Sequence, residues 1–276
     1  MNNDLIDEQT GFTMPSAKEF DIKKLFSLEE RTTLITGAAQ GIGRVAAIVC
    51  GKAGSKIAIT DKDINSAKLL EKELNEANIK AKAWELDVNY EKDIIKVFND
   101  VEKEFGTTDV LINNAGTAHR NPAELMKTEE FNKIINLNLT SAFICCRTVA
   151  KGMLEKNKGS IINISSIMGV TGGGPAPNSP YHASKGALVN LTRSLANEWG
   201  DRGIRVNSIG PTYTKTRLVK ELSKDKAKLD HIIQRTPLKR LAEVSEMAGG
   251  ILFLASDASS IVTGHTLMLD GGWSAI

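Results

Sequence analysis

A short β-branched run that empties into a glycine-rich turn, and then into a helical pattern, constrains this chain more than any other feature. Thr32 to Ile35 reads as a strand, Thr36-Gly37-Ala38-Ala39-Gln40-Gly41-Ile42-Gly43 as the turn, and about Ile42 to Ala53 as the helix. The pattern then repeats almost from end to end. Lys56 to Thr60 precedes a helical stretch from Ile64 to Ala77, and further strands read at Ala81 to Leu86, Asp109 to Asn113, Ser160 to Ile164, Arg205 to Ser208 and Thr266 to Leu269. Strands alternating with helices require crossover connections, which are right-handed, and therefore a parallel sheet covered on both faces. The expectation is a single-domain, Rossmann-type doubly wound α/β fold over residues 28–276, with residues 1–27 an N-terminal arm outside the sheet. Gly169 to Pro180, rich in Gly and Pro, reads as a loop.

The 276 residues carry 35 Lys plus Arg against 33 Asp plus Glu. That balance provides no broad field for nucleic acid or an anionic membrane. Cys50, Cys145 and Cys146 are odd in number, two of them adjacent, with no C-x-x-C spacing, so they read as small buried thiols in a reducing compartment. The first thirty residues are broken by Asp4, Asp7, Glu8, Lys18, Glu19, Asp21, Lys23 and Lys24, which leaves no signal-peptide core. No uncharged apolar stretch approaches the roughly 20 residues of a membrane helix. The histidines, His119, His182, His231 and His265, show no ligand spacing, so no metal is expected. The expectation is a cytoplasmic enzyme acting on a small molecule, without nucleic-acid or membrane partners.

Glycines between a strand and a helix allow a tight turn and let the backbone approach a pyrophosphate, which the helix N-terminus then receives on free N–H groups. Gly37, Gly41 and Gly43 stand there, and residues 41–46 also fit G-x-G-x-x-A. Asp61 closes the second strand, about 20 residues on, where a carboxylate accepts hydrogen bonds from ribose hydroxyls and repels a 2′-phosphate. NAD is therefore favoured over NADP. Gln40 offers no cation from the turn; Lys62 is the one dissenting residue, able to turn toward a 2′-phosphate. Asp87 follows the third strand and Asn113-Asn114-Ala115-Gly116 the fourth, at the strand ends where open parallel sheets bind ligands.

Tyr181-His182-Ala183-Ser184-Lys185 opens a helical segment, and its i, i+4 spacing puts Tyr181 and Lys185 on one face. A lysine cation near a phenol lowers the phenol's pKa, as a general acid/base working on an alcohol proton requires. Thr-Gly-x-x-x-Gly-x-Gly, Asn-Asn-Ala-Gly and Tyr-x-x-x-Lys, in this order and on these elements, resemble the short-chain dehydrogenase/reductase family over residues 28–273. The resemblance implies that Tyr181 is the general acid/base, Ser166 holds the substrate oxygen, Lys185 binds the nicotinamide ribose, and Asn138 holds a water in the proton relay. Asn136 rivals Asn138, though Phe143 five residues on favours the latter; Ser165 rivals Ser166, though the following Gly169 favours Ser166. The resemblance also places Gly37, Gln40, Gly41, Ile42 and Gly43 at the cofactor with Asp61 and Lys62, Asp87 and Val88 beside the adenine, Asn114, Ala115 and Gly116 along the cleft, and Pro211 and Thr216 near the nicotinamide.

The chain departs from the family pattern at Thr212, where a glycine is usual, and in the longer loop through Gly172-Gly173-Gly174-Pro175. Losing the glycine threatens backbone freedom there. The segment Thr212 to Arg235 reads as a lid over the substrate with seven basic residues, and Arg120 follows Asn-Asn-Ala-Gly; both suit a carboxylate-bearing substrate. The arginine after Asn-Asn-Ala-Gly, the run Ala196-Asn197-Glu198-Trp199 and the ending Asp270-Gly271-Gly272-Trp273 resemble the sugar-acid and polyol dehydrogenases of the family. They imply gluconate or a related keto-sugar, with a 3-oxoacyl-thioester reductase as the alternative, bulky alcohols such as steroids third, and a non-catalytic dinucleotide binder still open. A homotetramer or homodimer is implied as well, built on the helices containing Asn138 to Lys156 and Tyr181 to Gly200. The apolar positions Leu188, Leu191 and Leu195 suit either that interface or the monomer's core.

Overall fold

In the computed structural model every β-branched run singled out above is a strand. The structure describes residues 19–276 and, ahead of them, the paired backbone of β1 (Leu5–Ile6) and β2 (Thr13–Met14). The strands of the main sheet are β3 (Thr32–Thr36), β4 (Lys56–Asp61), β5 (Ala81–Glu85), β6 (Val110–Asn113), β7 (Gly159–Ile164), β8 (Ile204–Pro211) and β9 (Thr266–Leu269). All pair in parallel, in the order β5-β4-β3-β6-β7-β8-β9. The chain builds outward from β3 to β5, then returns to β6 on the other side. The sheet's switch point thus lies between β3 and β6, directly above which doubly wound sheets open a crevice.

Successive strand residues face opposite sides, and each side has its own core. Ile35, Ile57, Ile59, Ile112 and Ile162 pack against α2 (Gly41–Lys52), α3 (Ile64–Glu76) and α10 (Ala248–Ala255). Their neighbours Leu34, Ala58, Leu111 and Ile161 face α4 (Glu91–Phe105), α6 (Ser141–Lys156) and α7 (Ser179–Trp199). The short helices α1 (Ile22–Leu25), α5 (Thr128–Ile135), α8 (Arg217–Lys220) and α9 (Lys226–Arg235) complete the chain. All three cysteines are buried and unpaired, and burial pushes the thiols of Cys50 and Cys146 up to about 12. Leu188 and Leu195 lie in the monomer's interior, which settles those positions as core. The arm expected over residues 1–27 falls largely outside the described residues.

Most boundaries shift by a residue from the sequence reading, and three shifts have a clear physical cause. β8 continues through Gly210 and Pro211 because β9 pairs with it as far as Pro211↔Leu269; proline, lacking an N–H, is tolerated at the strand's last position. Asp109 stands just before β6, its carboxylate accepting from the Thr32 N–H at 2.9 Å. Pro180 belongs to the first turn of α7, where its missing N–H costs nothing.

Candidate active site

A cleft of about 710 Å³ runs along the carboxyl ends of β3, β4, β6, β7 and β8. At one end Gly37 and Gly41 adopt φ of +62° and +58°, a backbone that side chains rarely take. Gly43 is needed for packing: a β-carbon there would meet the Gly37 carbonyl oxygen at 2.4 Å and Asn114 Nδ2 at 2.5 Å. Asn114 fastens this turn by donating to the Thr36 and Gly37 carbonyls at 3.0 and 2.7 Å. Ala115 N–H donates to Thr36 Oγ1. The α2 N-terminus has no side-chain cap from Gln40, so its N–H groups stay available to a ligand. Asp61, buried at the end of β4, accepts from Ala39 N–H and Asp63 N–H, each at 3.0 Å. Asp87 accepts from Asn89, and Val88 is buried beside it. Gly37, Gln40, Gly41, Ile42, Asp61, Lys62, Asp87, Val88, Asn114, Ala115, Gly116, Pro211 and Thr216 all line the cleft, whereas Gly43 lies behind the wall.

The reactive end sits where β7 runs out. Ser166 caps the turn Ile167–Gly169 by accepting from Met168 N–H at 3.1 Å, and its hydroxyl lies near enough to the Tyr181 phenol to pull that phenol's pKa downward. Ser165 is committed elsewhere, donating to the Lys185 carbonyl at 3.0 Å, so Ser166 is the serine that reaches the phenol. Lys185, one turn beyond Tyr181, is buried and donates from Nζ to the Ile164 carbonyl at 2.7 Å. Its Nζ lies 5.7 Å from the Tyr181 ring centre.

Burial lowers the Lys185 pKa to about 8 and raises that of Tyr181, against which the Ser166 hydroxyl and the Arg120 charge pull downward. This corrects the expected depression by Lys185: desolvation of the phenol outweighs every lowering influence, and the ammonium is directed at Ile164.

Asn138 does not line the cleft. It lies under it, accepting from Thr117 N–H and donating to the Thr117 carbonyl, both at 2.9 Å, and to Ser184 Oγ at 3.0 Å. A β-carbon on Gly116 would stand 3.1 Å from Asn138 Oδ1 and 3.6 Å from Lys185 Nζ, so these groups converge beneath Gly116. Asn138 belongs to a π-helical stretch, Asn136–Thr140, joining α5 to α6. Asn136 points away, exposed, toward Asn89. Thr212 takes no left-handed backbone conformation, so replacing the usual glycine strains nothing, although its hydroxyl is buried without a partner.

Arg120 lines the cleft at this end, its guanidinium 3.5 Å from the Leu218 carbonyl. Three of the lid's seven basic residues are paired with acids, Lys215 with Glu243, Lys224 with Glu221 and Lys228 with Asp225, while Arg235 lies over the Trp273 ring at 4.9 Å. Of the seven, only Arg217 faces the cleft. Sequence reasoning missed Tyr213, which lines the reactive end and stacks edge-on with Trp273; its position just after Pro211-Thr212 was the available signal. It also missed that His182 faces the cleft, with Nδ1 donating to the Asn178 carbonyl at 2.8 Å. Among the described residues no group of His, Cys, Asp or Glu could hold a metal.

A sequence profile described as enoyl-(acyl carrier protein) reductase matches residues 37–274. A 5-keto-D-gluconate 5-reductase of Escherichia coli (strain K12) is 39% identical over 248 residues, 90% of this chain and 97% of that one. The chain belongs to the short-chain dehydrogenase/reductase family. A 3-oxoacyl-[acyl-carrier-protein] reductase of Escherichia coli (strain K12) is 37% identical over 246 residues, covering 89% and 98% of the two chains. The crystal structure of a gluconate 5-dehydrogenase from Burkholderia cenocepacia J2315, in complex with NADP and tartrate, superposes with a TM-score of 0.89 at 32% identity, over 93% and 100% of the chains.

As a short-chain dehydrogenase/reductase the protein is an oxidoreductase using a nicotinamide dinucleotide, and its cleft fits one. The volume suits a large ligand, the uncapped α2 N-terminus suits its phosphates, and a β-carbon at Gly37 would crowd the Ala115 backbone at 3.0 Å, leaving the turn room only for glycine.

Proposed function

We propose that this short-chain dehydrogenase interconverts a secondary alcohol of a gluconate-like sugar acid and the corresponding ketone, with NAD as cofactor. The observation that carries the reading is Ser166 and Tyr181 lining the cleft together beside buried Lys185, at the opposite end from the glycine-rich turn. Tyr181 moves the proton to or from the substrate oxygen. Ser166 and Tyr181 together steady that oxygen as charge develops on it. Lys185 holds its Nζ 5.7 Å from the ring centre and offers its remaining N–H groups to a ribose. Asn138 fixes the Thr117 backbone from below, and its match to the family's asparagine supports a role in holding a relay water. The nicotinamide, when bound, supplies the hydride acceptor or donor.

Arg120 supports an anionic substrate, since its charge acts on Tyr181 and Tyr213 together. The 5-keto-D-gluconate reductase and the gluconate 5-dehydrogenase among the similar proteins favour a sugar acid. Asp61 favours NAD, because its buried carboxylate stands at the end of β4, where the ribose hydroxyls come. NADP use is the second reading, favoured by Lys62 and by the NADP in the Burkholderia structure. Three buried thiols fit a cytoplasmic location. Exposed Phe143 on α6 fits assembly into a homotetramer or homodimer, which light scattering reads as mass.

The test follows absorbance at 340 nm with NAD or NADP against sugar acids, polyols and 3-hydroxyacyl thioesters, for wild type and Tyr181→Phe. Turnover of gluconate or a close relative, lost by a factor of about 10² or more in the variant, supports the reading. Turnover confined to thioesters replaces the substrate, and full activity in Tyr181→Phe removes the mechanism.

A further inference from the structure

The basic side chains lining the cleft are Lys62, Arg120, Lys185 and Arg217. Lys185 is committed to the Ile164 carbonyl. Arg120 serves the reactive end, where both phenols feel its charge. Lys62 and Arg217 have no ion pair among the described residues. Arg217 differs in this from the lid's paired lysines 215, 224 and 228, although Glu221 stands a helical turn further on.

Its place in the fold is specific. Thr216 Cγ2 lies 3.4 Å from where a β-carbon on Gly41 would stand, so the base of the lid rests on the glycine-rich turn. Arg217 is the next residue, the first of α8. Its charge is felt by Asp63, two residues beyond Asp61 and just past the end of β4. The two cleft arginines therefore divide the site: Arg120 stands over the reactive end, Arg217 over the end where β4 finishes. The nearest other arginine on the turn's own helix, Arg44, is already engaged by Glu73.

We propose that Arg217 is a lid-borne ligand for a phosphate of the dinucleotide, closing over the adenosine half of the cleft. A guanidinium offers a planar fork of donors that matches a phosphate, and an arginine left unpaired in a cleft has that fork free. The ribose 2′-phosphate and the pyrophosphate present the same chemistry. The arrangement ties lid closure to cofactor occupancy. The proposal rests on the reading that the cleft takes a nicotinamide dinucleotide.

The experiment titrates the full chain with NADH and with NADPH, reading nicotinamide fluorescence, for wild type, Arg217→Gln and Arg217→Lys. Lys226→Gln, an exposed lid lysine outside the cleft, controls for loss of a positive charge alone. Arg217→Gln is expected to weaken Kd at least about tenfold, Arg217→Lys to recover part of it, and Lys226→Gln to change nothing. The wild-type Kd should also weaken more steeply with salt than that of Arg217→Gln. A loss confined to NADPH assigns the contact to the 2′-phosphate, and an equal loss on both assigns it to the pyrophosphate. Unchanged binding of both, a loss confined to NADH, or a loss matched by Lys226→Gln overturns the proposal. Wild type that binds neither dinucleotide removes the cofactor reading itself, a different result from a silent Arg217 variant.

Discussion

Replacing Lys185 by methionine tests whether the ammonium is truly held in the interior. The side chain is 4% exposed, and burial brings its pKa from an ordinary 10.5 to about 8. An unfolded chain keeps the ordinary value. Between pH 8 and pH 10.5 the unfolded state therefore binds a proton that the folded state has released, and the folded state gains as pH rises, by about 1.4 kcal/mol per pH unit. Below that window both states carry the proton, and the full desolvation cost stands at about 3 kcal/mol. Lys185→Met keeps a stem of similar length and has no proton to lose, so it serves as the reference that cancels every other titration. Urea denaturation of both proteins at pH 7.5 and pH 10 is the assay. Wild type should gain on the variant by about 2 to 3 kcal/mol between the two. A stability difference that stays flat across that range would refute the argument, because it would mean the ammonium reaches water.

Three further outcomes follow from burial and packing. Because burial raises the Tyr181 pKa, the phenol holds its proton at neutral pH; alcohol oxidation should accelerate from pH 7 to 9 while ketone reduction does not, which steady-state rates in both directions will show. Gly43→Ala forces a β-carbon to 2.4 Å from the Gly37 carbonyl, and should cost about 1–3 kcal/mol in denaturant midpoint and weaken NADH binding. Gly249→Ala on α10, with nothing within 4 Å, should be neutral or stabilising by up to ~1 kcal/mol.

The strands were legible because parallel sheets bury both faces and so write themselves as β-branched runs; Thr266 to Leu269 was read to the residue. The glycine turn and Tyr181–Lys185 were legible for a related reason, since each is a local arrangement within one element. What the sequence withheld is contact between distant segments. Gly169 favours Ser166 over Ser165 by resemblance alone; the physical reason, the Lys185 carbonyl claiming Ser165, comes from a distant segment. Phe143 likewise favours Asn138 over Asn136, but the π-helical stretch in which one is buried and the other exposed was not legible. The lid's positive charge looked directed at substrate because Glu243, which neutralises Lys215, lies 28 residues away along the chain. The sign of the Tyr181 shift depended on how much water the folded cleft removes, which no spacing encodes.

The π-helical stretch at Asn136–Thr140 has a mechanical meaning. α5, this stretch and α6 run on without a break from Thr128 to Lys156, yet α5 packs on α7 while α6 packs on α4. An extra residue in a helix advances its phase by about 100°, so the wider turn acts as a coupling that rotates the second half of one rod relative to the first. The rod can then grip two neighbours lying in different directions, and Asn138 sits at the point of rotation. Deleting one residue there would leave a smoother helix whose α6 half presents its charged side to the core. The irregular turn is thus the joint that lets a single helix carry both the scaffold and the floor of the site.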